Sequence, residues 1–268
     1  WKDLGIETVG ELYYACNENR LIEAKGFGLK TQEEITKVIE FRMASNGKFL
    51  YARVEAEANE LFKKIGSLLP GAKVSFTGEY RRCSTIITAL SFLVGTPDIQ
   101  GAIKALTEAA FFLDISENET GIKGETENKL LVRIDVTAAS SFYSELFKQT
   151  GTIEHVGAVT ARLTGDIEQA ESEEAIYEKA GLQWMPPELR EGDTFIGKAA
   201  VNNLPELITY TDLKGTLHNH STWSDGVNAL EEMALYCRDQ LKLEYLGMCD
   251  HSRSAFYAKG LSIERVLQ

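Results

Sequence analysis

The residues with the clearest chemical content are HNHSTWSDG at positions 218–226 and CDHS at 249–252. On a strand, side chains two apart point to one side, so His218 and His220 can present two imidazoles to one metal ion. Asp225 offers a hard oxygen ligand from the loop that follows. His251, at the end of the next apolar run, reaches the same rim if the two strands are parallel. Three of the four histidines of the chain lie in these two places. A satisfied structural pair of histidines is the plain alternative. Divalent ions held here would polarise a phosphoryl oxygen and generate hydroxide near neutral pH, which is the chemistry of phosphoester hydrolysis.

Two further segments carry phosphate chemistry. In LIEAKGFGLKTQEEI, residues 21–35, Gly26 and Gly28 allow a tight turn. The amides that open the next helix can then face a DNA phosphate, with Lys25 and Lys30 beside them. An ordinary helix-to-helix turn would have the same composition. In FTGEYRRCSTIITALSFLV, residues 76–94, the basic pair Arg81 and Arg82 precedes an apolar run. Its alternative reading is a solvated pair on a strand loop.

Elements must position these residues. Leu4, Val9, Leu12 and Tyr13, then Ile35, Val38 and Ile39, recur at helical spacing and predict two short helices around the glycine turn. A longer amphipathic helix is expected over 49–69, with Val54, Leu61, Phe62, Ile65 and Leu69 on one stripe. KVSFT and IITALSFLVG read as strands and DIQGAIKALTEAAFF as a helix. NKLLVRIDV reads as a strand with Leu130, Val132, Ile134 and Val136 on one face. An antiparallel sheet covered by helices is expected from them. MPPELREGD suits an extended link, because a residue before proline avoids the helical region. The last stretch predicts strand 212–220, helix 228–240, strand 245–252 and a helix starting at Ser262, a βαβ arrangement.

Composition bounds the reading. The 268 residues carry 28 Lys plus Arg against 40 Asp plus Glu, a formal charge of -12, which argues against sequence-blind attraction to nucleic acid or anionic membrane. The excess is uneven: residues 1–70 are nearly neutral, while residues 150–207 carry about -7. No apolar run is long enough to span a membrane and no basic-then-apolar leader opens the chain, so a cytoplasmic location is expected. Four dispersed cysteines without a CxxC indicate neither a zinc-thiolate site nor a disulfide framework. They read as small buried or half-buried thiols. A first residue of Trp1 rather than Met suggests an excerpt of a longer chain.

At His218, His220, Asp225 and His251 the sequence resembles the PHP family, named for polymerase and histidinol phosphatase. The resemblance implies a distorted β/α barrel in which these four residues are metal ligands for Mn, Zn or Mg. The family's further ligands would come from later strands. Residues 21–35 are similar to a helix-hairpin-helix motif, which implies backbone contacts to DNA by Lys25, Gly26, Gly28 and Lys30.

Residues 76–94 resemble the palm signature of family X DNA polymerases, with Gly78, Arg81 and Arg82 in place. Glu79 stands where that pattern has a phosphate-binding Ser, and Ala89, Ser91 and Arg133 stand at its three catalytic aspartates. Asp135 lies two residues further along the same face. LFKQTGTIEHVGAV matches the nucleotide-pocket run in Thr150, Gly151 and His155, with Lys148 and Gln149 replacing an aromatic pair and Val156 an Asn. Arg81, Arg82 and Gly151 are thereby assigned to nucleotide or phosphate binding.

In this order the motifs resemble a bacterial family X DNA polymerase with a C-terminal PHP domain. The fold expected is multidomain α+β: a helix-hairpin-helix segment over 1–48, a nucleotidyltransferase-like palm sheet with helices over 49–149, a small thumb and connector over 150–207, and the start of a PHP barrel over 208–268. The function expected is weak binding of gapped or nicked duplex DNA by a DNA repair protein with a polymerase-inactive palm. The metal-dependent nuclease activity would belong to the PHP domain of the parent. An active polymerase using Glu79 with Asp135, and a PHP-type small-molecule phosphoesterase, are the alternatives. The sequence assigns no oligomeric state.

Overall fold

Helix α1 (Val9–Asn17) begins at a capping box in which the Thr8 hydroxyl takes the Glu11 amide and the Glu11 carboxylate takes the Thr8 amide. The computed structural model describes residues 4–268, so residues 1–3 of the expected first segment lie outside the described residues. Gly26 has φ of +95°, a backbone that side chains rarely adopt, and turns the chain into α2 (Leu29–Ala44). This second helix has 16 residues and is not the short one the spacing predicts. Val38, expected on its apolar stripe, is 66% exposed. Two strand residues, β1 (Phe49–Leu50), precede α3 (Tyr51–Leu68), where Val54, Leu61 and Ile65 are buried as expected.

The central sheet begins with β2 (Lys73–Thr77), followed by the single-turn helix α4 (Gly78–Arg81), β3 (Ile86–Ile87) and β4 (Ala89–Thr96). Helix α5 (Ile99–Glu108), capped by Asp98, leads to β5 (Leu113–Asn118), β6 (Gly121–Glu125) and β7 (Leu131–Ala138). The sheet order is β2-β4-β7-β6-β5 and β3 pairs with β1.

The antiparallel sheet expected from the sequence is corrected here to a mixed one, because β4 and β7 run parallel. The chain leaves β4 through α5 and a hairpin before returning as β7, a connection long enough for a parallel crossover. Gly121 makes the hairpin's approach to β7 possible, since a Cβ there would lie 2.0 Å from the Ile134 carbonyl oxygen. Leu130, Val132, Ile134 and Val136 are all buried and pack with Leu90, Phe92 and Val94 of β4 and with Leu61 and Ile65 of α3. The opposite face of β4 and β7 is divided: Leu93 packs with Phe142 and Leu146 in a second apolar cluster, while Ser91, Arg133 and Asp135 leave a polar stretch, and this stretch is the part that matters for chemistry.

Four helices follow: α6 (Phe142–Thr150), α7 (Ile153–Thr160), α8 (Glu173–Lys179) and α9 (Ile196–Ala199). Between α8 and α9 the segment expected to be extended instead makes one 3-10 turn over Pro187–Leu189. Proline at its first position loses no helical hydrogen bond there.

The chain divides into two compact units, Trp1–Leu204 and Pro205–Gln268. The second contains β8 (Gly215–Asn219), α10 (Leu230–Asp239), β9 (Tyr245–Met248) and α11 (Ile263–Val266), with β8 and β9 parallel, which is the predicted βαβ arrangement. Of the four cysteines, Cys16 and Cys237 are buried, whereas Cys83 and Cys249 are exposed, contrary to expectation. Among the described residues no helix is long and apolar enough to cross a membrane.

Candidate functional site

The polar face of the first unit's sheet lines a cavity of about 330 Å³ bounded by Gly78, Glu79, Arg82, Thr88, Ala89, Ser91, Arg133, Asp135 and Gln149. The parallel ladder pairs Ser91 with Arg133 and Leu93 with Asp135, so strand alternation places Ala89, Ser91, Arg133 and Asp135 on one side. The sequence-derived positions therefore do converge. What converges is a methyl, a hydroxyl, a guanidinium and the single carboxylate of Asp135, a set poorer in anionic oxygen than a pair of divalent ions requires. Arg133 is exposed, and its side chain has no hydrogen bond or ion pair among the described residues.

The two carboxylates of this cavity differ in their surroundings. Glu79 Oε2 accepts from the Thr88 amide at 2.6 Å and from the Thr88 hydroxyl at 2.8 Å. Asp135 is pushed above the usual carboxylate range by burial, against the opposing pull of Arg133.

Arg81 and Arg82 are not the solvated pair of the alternative reading. Their side chains are only 18% and 11% exposed. Arg81 makes a fork on Glu173, with Nη1 to Oε1 at 3.0 Å and Nη2 to Oε2 at 2.5 Å, and also donates to the Thr150 hydroxyl at 2.6 Å. Arg190, fully buried, donates to Glu173 Oε1 from the other side. Burial opposes ionisation of Glu173, yet the hydrogen bonds from Arg81 and Arg190 outweigh it and hold the carboxyl below its ordinary range. Arg82 donates to the Thr150 carbonyl at 2.7 Å and lies 3.4 Å from Glu191.

Of the two arginines, only Arg82 lines the cavity. Gly151 caps the C-terminus of α6. His155 is buried, with Nε2 2.8 Å from the Tyr177 hydroxyl. Burial, reinforced by Arg190, lowers its pKa to about 4. Glu173 and Arg190 were not found by reading the sequence, since 92 residues separate Glu173 from Arg81.

In the helical segment, Lys25 and Lys30 are exposed and have no side-chain partner among the described residues. Gly28 is the N-cap of α2 with an ordinary extended backbone, and a Cβ added to it would meet nothing. The first turn of α2 therefore has no side-chain cap, and it lies near two ammonium groups without side-chain partners.

In the second unit, ligand atoms of His220, Asp225 and His251 all lie within 4.8 Å of one another. Asp225 bridges the rings, with Oδ1 3.1 Å from His220 Nδ1 and Oδ2 3.5 Å from His251 Nε2. Two imidazoles and one carboxylate at this spacing fit a divalent ion of the Zn or Mn type. His218 stands beside the cluster, its ring centre 5.4 Å from that of His220. The simple alternation expected for the HxH pair does not hold. The ladder shifts register between Thr216 and Asn219, and His218 takes a φ of +63°.

No family model matches the chain. The chain is 25% identical over 288 aligned positions to the DNA polymerase/3'-5' exonuclease PolX of Bacillus subtilis (strain 168), a match that covers 100% of this chain and 50% of that protein. The chain thus spans about half the length of the curated relative it matches. Over its full length it is similar, distantly, to a family X DNA polymerase.

Proposed function

We propose that this chain is the DNA-binding portion of a repair-type, family X polymerase-like protein whose palm no longer polymerises. In this reading, residues 1–48 are a helix-hairpin-helix segment, 49–149 a palm, 150–207 a thumb and connector, and 208–268 the start of a PHP domain. The observation that carries it is the Ser91–Arg133 pairing beside Ala89 in the cavity, which puts a hydroxyl, a guanidinium and a methyl at the three positions that the family resemblance gives to catalytic aspartates. Replacing an anionic ligand with a guanidinium repels the ions that in-line phosphoryl transfer requires.

Gapped or nicked duplex would be held weakly by Lys25, Gly26, Gly28 and Lys30. Arg82 would be available to a phosphate in the cavity, while Arg81 is committed to Glu173. Hydrolytic chemistry in the whole protein would come from the second unit. There His220, Asp225 and His251, with His218 alongside, would hold a divalent ion that activates water and polarises a phosphoester.

A second reading, polymerisation through Glu79 and Asp135, has one observation in its favour: both line the cavity. Glu79 is nevertheless engaged by Thr88, and burial raises the pKa of Asp135 from its ordinary value. Primer extension on gapped duplex with Mg²⁺ or Mn²⁺ decides between them. No incorporation is expected. Template-dependent incorporation that Asp135→Ala abolishes would overturn the inactive palm, and salt-sensitive duplex binding without turnover would support the binding role.

A further inference from the structure

We infer that Asp250, although it precedes His251 directly, is not a metal ligand but the positioning residue that fixes the metal cluster, through the two serines of the SxxSDG segment. Ser221 and Ser224 are 0% and 3% exposed. A hydroxyl buried to that degree needs a partner, and Asp250 partners both. Its Oδ1 accepts from the Ser221 amide at 2.8 Å and the Ser224 hydroxyl at 2.6 Å, and its Oδ2 accepts from the Ser221 hydroxyl at 2.7 Å. These three bonds take most of the accepting capacity of the carboxylate, and Asp250 is not among the residues whose ligand atoms cluster. Charge-assisted hydrogen bonds of this length are the stronger kind.

The clamp joins two pieces of chain that must be in register for the cluster to exist. Ser221 follows His220 and Ser224 precedes Asp225, so the loop brings two of the three candidate ligands, while Asp250 is attached to the third, His251. The loop is closed tightly on itself: the Gly226 amide donates to the Ser221 carbonyl at 2.9 Å, and a Cβ on Gly226 would lie 2.0 Å from the His220 carbonyl oxygen. The Ser221 hydroxyl also accepts from the Trp223 amide at 3.2 Å. On the other side, the Cys249 amide donates to the Asn219 carbonyl at 2.7 Å, tying the strand exit beside Asp250 back to β8. Asp250 therefore sets the separation of His220 and Asp225 from His251 without touching the ion.

This inference rests on the metal reading of the second unit, and its test separates the two. The full chain is titrated with Co²⁺ alone, following the ligand-field absorption, and amide exchange at Ser221 is measured in the metal-free protein. Asp250→Ala is expected to weaken Co²⁺ about 10- to 100-fold and to speed Ser221 exchange about tenfold or more. Asp250→Asn should recover most of the affinity, because one oxygen still accepts and the Ser221 hydroxyl can rotate to accept from the new amide. Ser224→Ala, which keeps the charge and one clamp partner, should fall between them. Wild-type affinity and exchange in Asp250→Ala would overturn the inference. If the wild-type chain takes up no Co²⁺, the metal reading fails. The clamp is then decided by exchange alone: faster Ser221 exchange supports it and unchanged exchange refutes it.

Discussion

Ser91 and Arg133 face one another across the parallel β4–β7 ladder, on the polar stretch of the sheet face opposite the Leu90, Phe92 and Val94 core. A guanidinium at that register position supplies fixed positive charge where a divalent ion would need negative oxygen. The substitution triple Ala89→Asp, Ser91→Asp and Arg133→Asp should therefore create a cation site that the wild-type sheet lacks. In a His220→Ala, His251→Ala background, which removes the other candidate cluster, Mn²⁺ electron paramagnetic resonance is expected to detect added bound Mn²⁺ in the triple variant. No added Mn²⁺ would mean that the cavity is not the two-cation face we take it for.

Glu173 lies between Arg81 and Arg190, and its side chain is only 6% exposed. Removing its charge would leave two buried guanidinium groups without a counterion, which typically costs about 3–5 kcal/mol. Glu173→Gln should lower the urea midpoint of the first unit markedly with little change in slope. A midpoint within error of wild type would show that water reaches the arginines freely.

Much of the local structure was legible in the sequence. The bounds of the Lys73–Thr77 strand and the buried alternation of Leu130, Val132, Ile134 and Val136 follow from period-two patterning, which depends on neighbours in sequence. The β5–β6 hairpin was missed, because LDISENETGIKGE is polar and only partly covered. Strand direction was missed as well, since alternation is the same in parallel and antiparallel ladders.

The candidate sites divide in the same way. Ala89, Ser91 and Arg133 were singled out by the resemblance of their segments to a polymerase palm signature, and two paired strands place them on one side. The partners of Arg81 lie 69 and 92 residues away in sequence, and no local pattern encodes them. The displacement of His218 depends on a register shift that the alternation argument assumed away.

His155 gives the first unit a directional response to acid. Its folded pKa of about 4 is below the ordinary 6.5, so between those values the unfolded chain binds more protons. Stability present above about pH 6.5 is then lost as pH falls toward 4. Glu173, held below 4.5, extends that loss at the acid end, whereas Asp135, held above 3.8, acts in the opposite sense. Subtracting the thermal-melt profile of His155→Gln from that of wild type isolates the histidine. The difference should slope between pH 6.5 and 4 and flatten above 7. A flat difference throughout would mean that the imidazole is as free to protonate in the folded chain as in the unfolded one.

Gly26 and Gly28 should respond differently to the same substitution, because only one of them is needed by the fold. Gly26 has φ of +95°, so Gly26→Ala is strained and should destabilise by about 1 kcal/mol or more. Gly28 has φ of -117° and open space where a Cβ would go, so Gly28→Ala should melt like wild type. If the α2 amides receive a DNA phosphate, that open space is where the backbone approaches, and a methyl there should weaken binding about tenfold while stability is unchanged. Lys25→Ala and Lys30→Ala should each lower affinity and reduce the salt slope of log K by about 1, as expected when one phosphate contact is lost. Fluorescence anisotropy on gapped duplex at two or more salt concentrations measures both effects. If Gly28→Ala bound like wild type and neither lysine changed the slope, the α1–α2 turn would be only a helix connection and the DNA contact would lie elsewhere.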